Sequence, residues 1–116
     1  NQSEVMNIIG EVEGKDIVIL DDMIDTGGTF VGAAEGLKAA GAKRIIGVCV
    51  HPVFSGPAIE KIEKSDAIDN MIVTDTIPLR EKSKKITVVS VADLLAEAII
   101  RTHDNRSVSS LFEIER

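Results

Sequence analysis

The chain has 116 residues, of which 44% are hydrophobic, and a formal net charge of −6 at pH 7. This length predicts one domain, 1–116, and its core should be aliphatic because the chain contains three Phe but no Trp or Tyr. The acidic balance argues against nucleic acid and anionic membranes as partners, and no apolar run approaches the ~20 residues of a membrane span.

The single cysteine, Cys49, lies in the apolar run IIGVCV and is expected to be a core thiol. Because no secretory signal opens the chain, a lone core thiol predicts a protein of the reducing cytoplasm. The first residue is Asn1 rather than Met, so we expect a processed product, a cloned segment or a piece of a longer protein.

Apolar periodicity and turn residues predict an alternation of strands and helices. In chain order these are a short strand at 4–10, a strand at 16–20, a helix at 29–40, a strand at 44–50, a helix at 55–65, strands at 70–75 and 86–90, and a helix at 94–103. The run at 44–50 is apolar throughout, which is typical of a strand buried on both faces of a parallel sheet. The order predicts an α/β fold with a mainly parallel sheet flanked by helices, and such sheets bind ligands at the carboxyl ends of their strands.

Residues with cap or turn preferences mark the ends of the predicted helices. Gly41 is expected to be left-handed after the first helix, and Ser55 is expected to cap the second, with Pro57 in its first turn. Ser90 and Asp93 form a capping-box pattern ahead of the third helix.

Two polar segments are expected at the surface. The loop 77–85 carries a basic cluster that should be solvated, namely Arg80, Lys82, Lys84 and Lys85. The C-terminal tail, 104–116, is Ser-rich, and Leu111 and Phe112 are the residues expected to dock it.

The stretch DDMIDTGGT at 21–29 combines a loop suited to an anion with three acids. Glycines without a β-carbon let the backbone point successive amides into one concavity, and the following helix adds its N–H groups and the positive end of its dipole. The residues expected to bind a phosphate are Asp25, Thr26, Gly27, Gly28 and Thr29.

The adjacent acids Asp21 and Asp22 would repel a phosphate, so we expect them to serve another part of the same ligand. Carboxylates accept hydrogen bonds from hydroxyls and hold Mg²⁺ directly or through water. A sugar phosphate such as ribose 5-phosphate, with an anion at one end and a cis-diol at the other, meets both demands. The alternative is purely structural: two acids that end a strand, followed by a turn that starts a helix.

The motif VILDDMIDTGGT resembles the ribose-5-phosphate-binding motif of the type I phosphoribosyltransferase fold. With EVMNIIGEVEGKDIVILDD, HPVFSGPAIEKI, VTDTIPL and LLAEAIIRTH…SVSSLF, the chain is similar over essentially its whole length to the C-terminal part of the class I ribose-phosphate pyrophosphokinase family. The resemblance implies transfer of the diphosphoryl group of Mg-ATP to the 1-hydroxyl of ribose 5-phosphate, giving phosphoribosyl pyrophosphate and AMP. It also implies a homo-oligomer, commonly a hexamer, whose subunits contain two phosphoribosyltransferase-like domains.

Carried over residue by residue, the resemblance implies that Asp21 and Asp22 contact the ribose and its metal-bound face, and that 25–29 bind the 5-phosphate. The segment 107–110 resembles part of the family's regulatory site for phosphate or ADP. The candidate regulatory residues are Ser107, Ser109 and Ser110.

The family's ATP-binding residues, its catalytic loop and a metal-binding His all precede the matching region. We therefore expect this chain alone to lack synthetase activity. The VHP at 50–52 departs from the family's usual Thr-His-Pro, which puts a polar role of Val50 in doubt, and we expect His51 to be structural.

Two other functions remain open. A type I phosphoribosyltransferase that uses phosphoribosyl pyrophosphate would share the same phosphate loop, but it needs a base-recognition segment that the sequence does not show. A non-catalytic, synthetase-associated regulatory subunit would depart from the TGGT loop, whereas Gly27 and Gly28 are intact here.

Overall fold

A computed structural model describes residues 8–113 as a four-stranded parallel sheet with three α-helices and a 3-10 helix. The strands are β1 (Asp16–Ile24), β2 (Arg44–Pro52), β3 (Asn70–Thr74) and β4 (Ile86–Val89), which lie in the order β1-β2-β3-β4. The helices are α1 (Gly28–Ala39), α2 (Ala58–Lys64) and α3 (Ala92–His103), followed by the 3-10 helix at Ser109–Phe112. The predicted α/β fold with a parallel sheet is confirmed. The short strand predicted at 4–10 falls largely outside the described residues, and 8–10 form no strand.

The hydrophobic core lies between α1, α2 and one face of the sheet. Its cluster joins strand and helix residues, among them Ile45, Cys49, Met71, Val73, Phe30, Ala34, Ile59 and Ile62. Gly47 of β2 lies directly under the side chain of Phe30 from α1, because a β-carbon there would be 2.5 Å from Phe30 Cζ and 2.8 Å from Met71 Sδ. The lack of a side chain at Gly47 is therefore what lets Phe30 fill this part of the core.

The opposite face of the sheet stays accessible in the described part of the chain. Val18 and Leu20 alternate with the core-facing side chains of β1 and are 64% and 72% exposed. On β2, Ile46 and Val48 are half-buried. Within 44–50, this strand is thus buried on one face only, and not on both as its composition predicted.

The start of α2 differs from the prediction. Gly41 adopts the expected left-handed conformation, with φ 99°. Helix α2, however, begins at Ala58 with Pro57 at its N-cap, so the prediction that Ser55 caps it is wrong. Ser55 lies before the helix, where its amide donates to the backbone carbonyl of Asp25 at 2.9 Å.

Asp75, directly after β3, replaces the capping box predicted for α3. The N-cap of α3 is Val91, and the Ser90 hydroxyl donates to Asp75 Oδ2 at 2.5 Å. The Val91 amide donates to Asp75 Oδ1 at 2.9 Å. The predicted pairing of Ser90 with Asp93 is therefore wrong, because the Ser90 hydroxyl is held by the carboxylate of Asp75, which directly follows β3.

We expect this attachment of α3 to fail at low pH. Hydrogen bonds from the Ser90 hydroxyl and the Val91 amide lower the pKa of Asp75. The stabilisation is therefore present above the ordinary Asp pKa of about 3.9 and is lost as the pH falls through the lower folded-state pKa. In denaturant titrations, Asp75→Asn should reduce stability more near neutral pH than near pH ~2.5. An equal reduction at both pH values would contradict this account.

Two surface predictions need correction. Lys85 is half-buried rather than solvated, and its ammonium donates to the carbonyls of Ile62 at 3.3 Å and of Ser65. These carbonyls lie at the C-terminal end of α2, where a cation complements the helix dipole. The other residues of the basic cluster are exposed as expected, namely Arg80, Lys82 and Lys84.

Of the two residues expected to dock the C-terminal tail, Leu111 is half-buried, but Phe112 is 68% exposed and does not dock within the described residues.

Candidate functional site

The two adjacent acids lie inside β1 rather than after it. The strand continues to Ile24 because it pairs with β2 as far as Pro52. Successive side chains of a strand point to opposite faces, so Asp21 shares the helix-covered face with its β2 partner Cys49, while Asp22 turns to the other face. Both carboxylates are exposed, at the carboxyl end of an edge strand.

Gly27 turns the chain from β1 into α1. Its φ of 85° lies in the left-handed region that favours glycine, and it is the N-cap of the helix. Its carbonyl accepts the first helical hydrogen bond, from the Val31 amide at 2.9 Å. No side chain of residues 8–113 caps this helix start, so the amides of Gly28 and Thr29 can donate to a ligand at the positive end of the dipole.

The segment 53–57, between β2 and α2, fixes the backbone that leads into this loop. The amides of Phe54 and Ser55 donate to the carbonyls of Ile24 and Asp25, at 3.1 and 2.9 Å. Phe54 is buried and holds φ at 46°, an uncommon value for a residue with a large side chain. The loop is therefore braced by a neighbouring part of the chain before any ligand binds.

Asp21 and the loop that follows β1 line one cavity of about 190 Å³. Its lining includes five of the seven residues predicted to bind the sugar phosphate, namely Asp21, Asp25, Thr26, Gly27 and Thr29. Asp22 and Gly28 are not part of this lining, Asp22 because it lies on the opposite face of the strand. One of the two adjacent acids thus faces the same space as the anion-binding loop.

Cys49 lies directly beside this site but is not suited to act as a nucleophile. Burial raises the pKa of the Cys49 thiol, backbone hydrogen bonds partly offset that rise, and the charges of Asp21 and Asp22 add to it. Since the thiolate is the reactive form, Cys49 stays protonated at neutral pH. The expected core thiol is confirmed.

His51 lies at the carboxyl end of β2, opposite Met23 of β1. Its side chain is exposed, and Nδ1 lies 2.9 Å from the hydroxyl of Thr76. That hydroxyl donates to the Val50 carbonyl at 3.1 Å. His51 thus links the end of β2 to the loop after β3 through the hydroxyl of Thr76, which is consistent with a structural role. Val50 contributes to the same link with its backbone carbonyl.

Arg101, in the last turn of α3, forms hydrogen bonds with the Ser-rich segment that follows the helix. The sequence did not indicate this role. Its guanidinium donates to Ser110 Oγ at 2.5 Å, to the Ser107 carbonyl at 3.3 Å, and to Glu97 at 2.9 Å. The hydroxyls of Ser107 and Ser109 lie 3.0 Å apart. The structure thus brings the three predicted regulatory serines together beside one guanidinium.

Within residues 8–113, no three His, Cys, Asp or Glu side chains come together as a metal site. Asp21, which lines the cavity, still suits Mg²⁺, since that ion usually keeps several waters and binds through one or two carboxylates plus substrate oxygens. The same residues, 8–113, contain no helix long and apolar enough to span a bilayer.

Comparison with known proteins decides the family. The model of the phosphoribosyl synthetase-associated domain matches residues 1–113. The chain belongs to this family. Among its curated relatives, the ribose-phosphate pyrophosphokinases of Wolinella succinogenes and Helicobacter hepaticus are 60% and 57% identical over 112 residues. Each match covers 97% of this chain and 36% of the relative, so the chain spans about a third of the length of these enzymes.

A solved structure supports the same assignment. The crystal structure of phosphoribosylpyrophosphate synthetase from Mycobacterium smegmatis superposes with a TM-score of 0.80 and 40% sequence identity. The match covers 84% of this chain and 33% of that chain. The resemblance to ribose-phosphate pyrophosphokinases is therefore confirmed, and so is the fold.

Proposed function

We propose that this phosphoribosyl synthetase-associated domain supplies the ribose-5-phosphate site of a ribose-phosphate diphosphokinase. The parent enzyme would transfer the diphosphoryl group of Mg-ATP to O1 of ribose 5-phosphate and release phosphoribosyl pyrophosphate and AMP. The observation that carries the proposal is the shared cavity, which is lined both by Asp21 and by the loop at the start of α1. The names of the relatives support the reaction class.

The 5-phosphate is proposed to bind at the start of α1. There the amides of Gly28 and Thr29 and the hydroxyls of Thr26 and Thr29 can donate to its oxygens. Gly27 provides the left-handed turn that brings these donors together. Asp25 would contribute to this phosphate site through its backbone, whose carbonyl accepts a hydrogen bond from the Ser55 amide.

The acids are proposed to bind the other end of the sugar phosphate. Asp21 and Asp22 would accept hydrogen bonds from the ring hydroxyls and, through water or directly, hold Mg²⁺. When bound there, the ion would neutralise negative charge on the diphosphoryl group. Asp21 would contact the ligand from within the cavity, whereas Asp22, which points to the other face of β1, would have to reach it around the carboxyl end of the strand.

Turnover is proposed to need more than this chain. ATP would be bound mainly by residues outside it, and other subunits of a homo-oligomer, commonly a hexamer in this family, would complete the enzyme. We propose that 1–116 acts as one domain of that cytoplasmic assembly. Diphosphoryl transfer depends on cations aligned along the phosphoryl chain, and the described residues would provide only the acceptor side. The isolated chain should release no AMP from ATP and ribose 5-phosphate, and turnover of about 1–100 per second would contradict this.

The Ser-rich segment is proposed to form part of a regulatory site for phosphate or ADP. The three hydroxyls can donate to phosphate oxygens, and the guanidinium that gathers them adds positive charge. The residues are Ser107, Ser109 and Ser110, beside Arg101.

Calorimetric titration of the chain tests the proposed ligand. At fixed Mg²⁺, ribose 5-phosphate should bind at least ~10-fold more tightly than inorganic phosphate, because only the complete ligand reaches both the loop and the acids. Free ribose, which lacks the anion, should bind too weakly to detect. Ribose 5-phosphate that binds no more tightly than inorganic phosphate would overturn the proposal.

A further inference from the structure

The ammonium of Lys61, on α2, lies beside the loop proposed to bind the 5-phosphate. A β-carbon built on Gly28, the first residue of α1, would lie 3.9 Å from Lys61 Nζ. A β-carbon on Gly27 would lie 3.5 Å from Cα of Ala58, so the start of α2 abuts the loop. Ala58 and Lys61 are three residues apart and share one helix face, and the contact at Ala58 therefore directs Lys61 towards the loop.

Lys61 carries a charge that the described residues do not neutralise. Its exposed side chain forms no ion pair among residues 8–113. By contrast, Lys64, one turn later on the same helix, pairs with Glu60 at 2.6 Å. The ammonium of Lys61 is thus available to an anion that binds at the start of α1.

A cation near the loop would offset the repulsion between a bound phosphate and the neighbouring acids. Asp21, Asp22 and Asp25 are exposed around the site and would repel a phosphate dianion. The amides and hydroxyls of the loop carry only partial positive charges to set against the full negative charges of these carboxylates. A lysine on a flexible four-carbon stem can approach the phosphate and offset part of the repulsion.

We infer that Lys61 is a phosphate-binding residue of this site and favours phosphorylated over unphosphorylated sugars. The inference rests on the proposed function and adds a residue of α2 to a site otherwise built from β1 and α1. The juxtaposition of Lys61 Nζ with Gly28 carries it.

Calorimetric titration of Lys61→Gln with ribose 5-phosphate tests this role, with Lys64→Gln as the matched control on the same helix. Lys61→Gln should raise the Kd by about three- to tenfold at low salt, and the effect should shrink as salt screens the charge. Lys64→Gln should leave the Kd within about twofold, because its charge is already paired. Lys61→Arg should retain most of the affinity, since it keeps the charge. Thermal unfolding of each variant establishes that it is folded.

The outcomes separate the inference from the proposed function. If the unsubstituted chain binds ribose 5-phosphate and Lys61→Gln binds it equally well, the role of Lys61 is overturned and the site stands. An equal loss in Lys61→Gln and Lys64→Gln would also overturn it, because net charge alone would then explain the change. If the unsubstituted chain does not bind ribose 5-phosphate, the proposed function fails and this inference fails with it.

Discussion

Replacing Asp21 and Asp22 together by Asn is expected to weaken ribose-5-phosphate binding by about 100-fold. Hydrogen bonds to a charged group contribute about 1.5–3 kcal/mol each, and the amide keeps the shape of the side chain but loses the charge. Inorganic phosphate should behave in the opposite way and bind equally well or more tightly, because two negative charges near it are removed. Calorimetric titration of the double variant with both ligands measures the two effects.

Asp16→Asn is the matched control for this experiment. Asp16 lies at the opposite end of β1, where its exposed carboxylate pairs with Arg44 at 3.1 Å. Its replacement should change stability by no more than about 1 kcal/mol and leave both affinities unaltered. Parallel loss of ribose 5-phosphate and inorganic phosphate in the double variant would show that the acids shape the loop rather than bind the sugar.

Gly47→Ala is expected to destabilise the fold by about 2–3 kcal/mol. The added methyl would lie 2.5 Å from Phe30 Cζ and 2.8 Å from the sulfur of Met71, both in the core between α1 and the sheet. The Met side chain can shift, but a ring packed under a helix has little room to move. Denaturant titration should show a lower midpoint with an unchanged slope.

Gly36→Ala provides the contrast. No atom of another part of the described chain lies within 4 Å of a β-carbon at Gly36, which occupies the interior of α1. Removing a helical glycine there should stabilise the fold by roughly 0.5–1 kcal/mol. A Gly47→Ala variant as stable as Gly36→Ala would show that α1 does not approach β2 as closely as described.

The sequence predicted the features that depend on neighbouring residues. The order of strands and helices follows from periodicity and from glycines such as Gly41, and the residues proposed to bind the sugar phosphate lie in one contiguous stretch, 21–29. Its left-handed turn could be placed because a glycine stands where the strand gives way to a helix. Gly28, by contrast, has a negative φ, so Gly27 alone provides the special conformation.

Features that depend on contacts between distant parts of the chain could not be predicted from the sequence. Strand β1 reaches Ile24 only because β2 offers a partner there, and that moved both acids inside the strand. Asp75 lies 15 residues before Ser90, and no local pattern links the end of one strand to the start of α3. Lys61 follows Gly28 by 33 residues and reaches the loop only through the packing of α2, so its charge could not be assigned to the site.

An amide chemical-shift titration of the isotope-labelled chain tests the central claim most directly, since it locates each end of the ligand. With inorganic phosphate, the amides of Gly27, Gly28 and Thr29 should shift while those of Asp21 and Asp22 stay in place. Ribose 5-phosphate should shift both groups. Shifts confined to other parts of the chain, or shifts at the acids with inorganic phosphate alone, would contradict a site in which the loop binds the phosphate and the acids bind the sugar.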